Sequence, residues 1–180
     1  IDMNLRIPGP IPVPEDILEA MSTPMINHRG AEFKDMLFRT TEGLKSVFGT
    51  KDSVYILTGS GTGAMETAIV NTLSREDKVL SISIGTFGDR FGEIAKIYGA
   101  DVVYLKCLPG TAVEANQIRD CLDKHPSIKA VLVTHNETST GVTNDLEEIS
   151  KVVKKEYENK LLLVDGISSV ASLPTYMDLW

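Results

Sequence analysis

The stretch Val54-Tyr55-Ile56-Leu57-Thr58-Gly59-Ser60-Gly61-Thr62-Gly63-Ala64 decides the fold. Its first four residues are apolar and β-prone and read as a strand. The glycines that follow let the backbone turn tightly. The run from Ala64 to Leu73 then reads as a helix. A strand that passes through a glycine loop into a helix is the opening of a βαβ unit.

The alternation continues toward the C-terminus. Val79–Ile82, Val102–Leu105, Ala130–Val133 and Leu161–Val164 read as further strands. Arg90–Tyr98, ending at Gly99, Ala115–Asp123 and Asp145–Tyr157 read as the helices between them. The strands are nearly continuous apolar runs, the pattern of strands covered on both faces. The expected class is therefore α/β, a three-layer α-β-α sandwich on a mainly parallel sheet. Toward the N-terminus the pattern differs. Ile7-Pro8-Gly9-Pro10-Ile11-Pro12-Val13-Pro14 is an extended arm, because alternate prolines fix φ and remove donors. Pro14 opens a short helix over Glu15–Met21, and Phe33, Leu37, Leu44 and Val47 mark an amphipathic helix over Gly30–Phe48 that Gly49 stops. The division is thus 1–29, arm and short helix, and 30–180, an α/β unit.

Composition narrows the function. The 180 residues carry 18 Lys+Arg against 25 Asp+Glu, a net charge of −7. That balance argues against nucleic acid and against anionic lipid. No apolar run is long enough to span a membrane, and Ile1 to Arg6 lack the basic and apolar regions of a signal peptide. Cys107 and Cys121 form no CxxC motif and read as reduced cysteines of a cytoplasmic protein. The apolar ending Tyr176-Met177-Asp178-Leu179-Trp180 suggests truncation.

Ligands of such sheets bind beyond the carboxyl ends of the strands. Four loops lie there: Gly59–Gly63, Gly85-Thr86-Phe87-Gly88, His135–Gly141 and Asp165–Ser169. In the first, Ser60, Thr62 and the free N–H groups of a helix start make a phosphate cradle. The plainer reading is a capped turn. Gly59-x-Gly61-x-x-Ala64 also fits a relaxed dinucleotide fingerprint, but the next strand ends without the acid that would hold a ribose. Asp165 follows four apolar residues at the sheet edge. It suits a metal, a ribose or a protonated heterocyclic nitrogen, or simply caps the next segment. A metal is disfavoured, since no His or second carboxylate stands at matching spacing. His135 reads as a ligand or base, or as a hydrogen-bonded imidazole closing its strand, and the second is preferred. Phe87 is core or a stacking platform. Thr138, Ser139 and Thr140 are a turn signal.

Together these loops resemble a known family. Pro8-Gly9-Pro10, Ser60-Gly61-Thr62-Gly63-Ala64-Met65-Glu66, Gly85-x-Phe87-Gly88, His135-x-Glu137-Thr138-Ser139-Thr140-Gly141 and Val164-Asp165-Gly166-Ile167-Ser168-Ser169 resemble the class V aminotransferases, specifically the alanine–glyoxylate and serine–glyoxylate (serine–pyruvate) branch. These are pyridoxal 5'-phosphate enzymes of fold type I. The resemblance implies that residues 30–180 are the N-terminal part of the cofactor-binding large domain. It implies that Ser60, Gly61 and Thr62 hold the cofactor phosphate and that Phe87 stacks on the ring, where many relatives have Trp. It implies that Thr138 lies near the ring oxygen, Asp165 binds the pyridine nitrogen and Ile167 packs on the ring face opposite Phe87. It implies that Gly9 and Pro10 border the substrate pocket. The role of Asn27-His28-Arg29 is left open.

The resemblance also implies elements outside this chain. The lysine that forms a Schiff base with the cofactor is expected just beyond Trp180; Lys160 precedes its strand, and Lys154 and Lys155 lie on a helix face. The expected parent is a cytoplasmic homodimer that transfers an amino group from alanine or serine to glyoxylate or pyruvate. The 180 residues alone are expected to be inactive. Three alternatives stand beside it: a cysteine desulfurase or other lyase of the same class, a non-enzymatic phosphate-binding or dimerising fragment, and an NAD-dependent dehydrogenase.

Overall fold

A computed structural model describes residues 5–180; Ile1 to Asn4 of the N-terminal arm lie outside the described residues. Two helices come first, α1 (Glu15–Met21) and α2 (Ala31–Phe48). Gly49 ends α2 in the left-handed region, with φ 61°, a conformation glycine adopts without a Cβ clash. Neither helix has a buried residue, and Leu37, Phe38 and Val47 of α2 stay exposed. Of the amphipathic stripe read in α2, Phe33 and Leu44 are partly covered, whereas Leu37 and Val47 are not.

The α/β unit follows as α3 (Gly61–Thr72), β1 (Lys78–Ser83), α4 (Thr86–Ile97), β2 (Asp101–Lys106), α5 (Ala115–Lys124) and β3 (Ile128–Thr134). A two-residue hairpin comes next, β4 (Asn136–Glu137) and β5 (Val142–Thr143), then α6 (Leu146–Ser150) and β6 (Leu161–Asp165). After Ser150 the helix widens into a π-helical stretch, Lys151–Glu156. The order β2-β1-β3-β6 makes a four-stranded sheet, parallel throughout. Alternate residues of each strand face opposite layers. Leu80, Ile82, Val131 and Val133 pack on one side with Ile118 and Leu122 of α5 and Leu146 and Ile149 of α6. Val79, Ala130 and Leu132 pack on the other with Met65 and Ile69 of α3 and Phe91, Ile94 and Ala95 of α4. The three-layer α-β-α sandwich is the observed architecture.

Val54–Leu57, however, is not a strand. Tyr55, Ile56 and Leu57 are more than half exposed. A strand exists only through a neighbour's hydrogen bonds, and the sheet's outer strands are β2 and β6; among the described residues no strand lies beside this segment, so β propensity alone does not order it. The helix after it begins three residues earlier than expected, at Gly61. Ser60 caps it by accepting a hydrogen bond from the Gly63 N–H at 3.2 Å. Ser60→Ala is expected to destabilise the protein by about 0.5–2 kcal/mol, the usual loss for an N-cap, read as a lower denaturant midpoint at unchanged slope. Helix α4 likewise starts at Thr86 rather than Arg90, which puts Phe87 in its first turn. No helix of the described residues is long and apolar enough to cross a membrane.

Candidate active site

Strands β1, β3 and β6 lie side by side, so the segments leaving their carboxyl ends meet at one edge. The chain leaves β1 outward to β2 and returns to β3 on the other flank, which makes this the switch point where open α/β sheets bind ligands. Hydrogen bonds tie the exits of β3 and β6 together. The His135 N–H donates to the Asp165 carbonyl at 2.9 Å. Asn136 Nδ2 donates to Ser168 Oγ at 2.9 Å, and Ser168 Oγ donates to the Asn136 carbonyl at 2.8 Å.

A cavity of about 460 Å³ opens there. Ser60, Gly61, Thr62, Phe87, Thr138, Asp165 and Ile167 all line it, and Pro8 and Gly9 of the arm close one side. Pro10 lines neither this cavity nor its neighbour. At the cradle, α3 presents its positive end. Ser60 takes the Gly63 N–H, while the N–H groups of Gly61 and Thr62 lie in the first turn, which has no intrahelical partner to offer them. The capped turn is observed, and the residues read as an anion cradle are the same ones. Phe87 packs on the α3–α4 core and also lines the cavity.

Asp165 is the electrostatic centre. Its Oδ1 accepts the Ile167 N–H at 3.0 Å, the local cap. Its Oδ2 is buried with no hydrogen-bond partner among the described residues. Desolvation pushes this carboxyl up, the Ile167 N–H opposes that, and the charge of Glu137 adds to it. A half-buried carboxylate with an orphaned oxygen calls for a cationic or N–H partner. His135 is not that partner's rival. It is buried, stacks edge-on against Trp180 with ring centroids 6.4 Å apart, and is pushed down by burial. Its ring packs on Trp180, and the expected hydrogen bond to the imidazole is not found among the described residues.

Two residues of the site escaped sequence reasoning. Arg90 holds its guanidinium 4.9 Å from the centre of the Phe87 ring and donates to Thr62 Oγ1 at 3.4 Å. Its place one turn after Phe87 shows only once α4 is known to begin at Thr86. Glu137 is wholly buried beneath the loops; it stands inside the quoted motif, but no spacing rule assigns it a partner. A larger, more apolar groove of about 610 Å³ adjoins the site, sharing Gly61, Met65, Asp165 and Ile167 and running along Leu162 and Val164 of the outer strand β6.

A parallel sheet between two helical layers, a capped helix start and a carboxylate with an unpartnered oxygen thus meet at one cavity beyond the strand ends. Residues 17–180 match the model of the aminotransferase class-V family, and the chain belongs to that family. It is 46% identical over 166 residues to an uncharacterised aminotransferase of Methanocaldococcus jannaschii, covering 92% of this chain and 43% of that one. It is 40% identical to the L-aspartate–glyoxylate aminotransferase of Paracoccus denitrificans, covering 97% and 45%. Among solved structures, the alanine–glyoxylate aminotransferase of Nostoc superposes with a TM-score of 0.91 at 31% identity, covering 97% and 46%. The chain thus spans less than half the length of these relatives.

Proposed function

We propose that the complete protein is a pyridoxal-phosphate-dependent aminotransferase, and that the smaller cavity is its cofactor site. The observation that carries this is the orphaned Asp165 Oδ2 in the same cavity as the α3 cradle, Phe87 and Ile167. The residues present fit the group. Ser60, Gly61 and Thr62 would hold the phosphate on the positive end of α3. Phe87 and Ile167 would cover the two ring faces and exclude water. The Thr138 hydroxyl would orient the ring oxygen.

When bound, pyridoxal phosphate supplies an electron-withdrawing ring that carries the electron pair left as the substrate's α-proton departs. Asp165 serves that by accepting the pyridine N–H and keeping its proton in place. The lysine that would move the α-proton is a role no described lysine takes. Lys160 Nζ is spent on the carbonyls of Pro126 and Ile128, and Lys154 Nζ on that of Lys160. The family resemblance puts it past Trp180, and we propose that the 180 residues alone do not turn over.

For substrates we propose alanine or serine as donor and glyoxylate or pyruvate as acceptor. Both characterised relatives above carry glyoxylate in their names. A small donor is supported by the name of the Nostoc enzyme, which carries alanine. A homodimer is supported by the uncovered apolar residues of α1 and α2. The test is a donor panel on the full-length protein with cofactor, scored by the 2-oxo acid formed. Alanine or serine with glyoxylate is expected to lead. A lead by aspartate would revise the donor, and sulfide release from cysteine would favour the desulfurase reading over amino transfer.

A further inference from the structure

Glu137 is a fully buried carboxylate that lines neither cavity. Its Oε2 accepts the N–H groups of Phe87 at 3.0 Å and Gly88 at 3.1 Å. Its Oε1 accepts the N–H of Ser139 at 3.2 Å and the hydroxyl of Ser139 at 2.6 Å. Ser139 Oγ in turn accepts the Thr86 N–H at 3.0 Å. The first three N–H groups of α4, which no helix can satisfy internally, are therefore all met from another loop.

The local sequence leaves room for this. Gly85, at the N-cap, has no side chain to cap α4, and a Cβ there would fall 2.5 Å from Glu137 Cγ. Burying a carboxylate is costly; four charge-assisted hydrogen bonds and the positive end of a 12-residue helix offset that cost. A Ser or Asp at position 85 is the ordinary way to cap such a helix. What the distant glutamate adds is a fixed relation between two loops: it precedes Thr138 and grips the backbone of Phe87.

We propose that Glu137 is the positioning residue of the cofactor site, one carboxylate that holds the Phe87 ring and the Thr138 hydroxyl in register across the cavity. This rests on the cofactor reading above. Glu137→Gln keeps the shape but sets an NH2 group against N–H donors on whichever side it faces.

The test uses the full-length protein in two arms. In the first, amide exchange is measured without cofactor. Glu137→Gln is expected to speed exchange at residues 86–88 while the core strands stay protected; unchanged exchange there would overturn the proposal. In the second, pyridoxal phosphate is titrated into wild type, Glu137→Gln, Phe87→Leu and the double variant. Weakening one charge-assisted clamp is expected to raise Kd about tenfold in wild type and by less than about threefold in the Phe87→Leu background, since contacting residues couple. An equal loss in both backgrounds would make Glu137 merely structural and overturn the proposal. Should wild type bind no pyridoxal phosphate, the cofactor reading fails, and the exchange arm alone upholds or overturns the clamp.

Discussion

Asp165→Asn in the full-length protein is expected to slow amino transfer by at least about a hundred- to a thousandfold, the loss typical of removing one preorganised electrostatic partner. The same substitution is expected to raise the melting temperature of the cofactor-free protein at pH 7. The two effects share one cause. Burial pushes the Asp165 carboxyl above its ordinary value, and its Oδ2 has no partner. For an acid shifted this way, the ionised form is favoured more by the unfolded chain than by the fold. The penalty is absent below the unfolded value and complete above the raised folded one, so this group's contribution to stability falls as pH rises through that window. Neutral asparagine removes the penalty and with it the electrostatic hold on a protonated ring nitrogen. A group that destabilises its own fold and is needed for activity marks a functional site. Thermal scans at pH 4 and pH 7 measure this: the asparagine variant is expected to gain over wild type mainly at the higher pH. Added cofactor is expected to stabilise wild type more than the variant.

Gly88→Ala is expected to destabilise the protein by about 1–3 kcal/mol, the usual cost of overpacking. A Cβ on Gly88 would lie 2.9 Å from both the Ile82 carbonyl oxygen and Ser83 Cα. These are backbone atoms of β1, an inner strand of the sheet, and cannot yield cheaply. The helix must move instead, and Phe87 moves with it, so cofactor affinity is expected to fall alongside stability. Gly43→Ala is the internal comparison. It lies within α2 with nothing within 4 Å of a Cβ, so it is expected to gain about 0.5–1 kcal/mol from the same Gly-to-Ala change. Denaturant midpoints of the two variants measure the contrast.

What could be read without coordinates was local or periodic. Leu80, Ile82, Val131 and Val133 announced buried parallel strands because both sheet faces are covered. Eight of the nine proposed ligand residues line one cavity, all but Pro10, and seven of these follow or flank recognisable turns. What escaped depends on partners distant in sequence. Val54–Leu57 has the residues of a strand but no described neighbour. Helix α4 starts early because Glu137, about fifty positions away, caps it; a helix start without its own capping residue gives no local sign. The β4–β5 hairpin, two residues a side, is too short for any period to show. Arg90 took its place only when the true start of α4 set it one turn from Phe87.

The most direct test of the account is a crystal structure of the full-length protein grown with pyridoxal phosphate. The account predicts the phosphate at the start of α3, the ring between Phe87 and Ile167, and the pyridine nitrogen within hydrogen-bonding distance of Asp165 Oδ2. Cofactor bound elsewhere, or bound here with Asp165 Oδ2 still unpartnered, would contradict it.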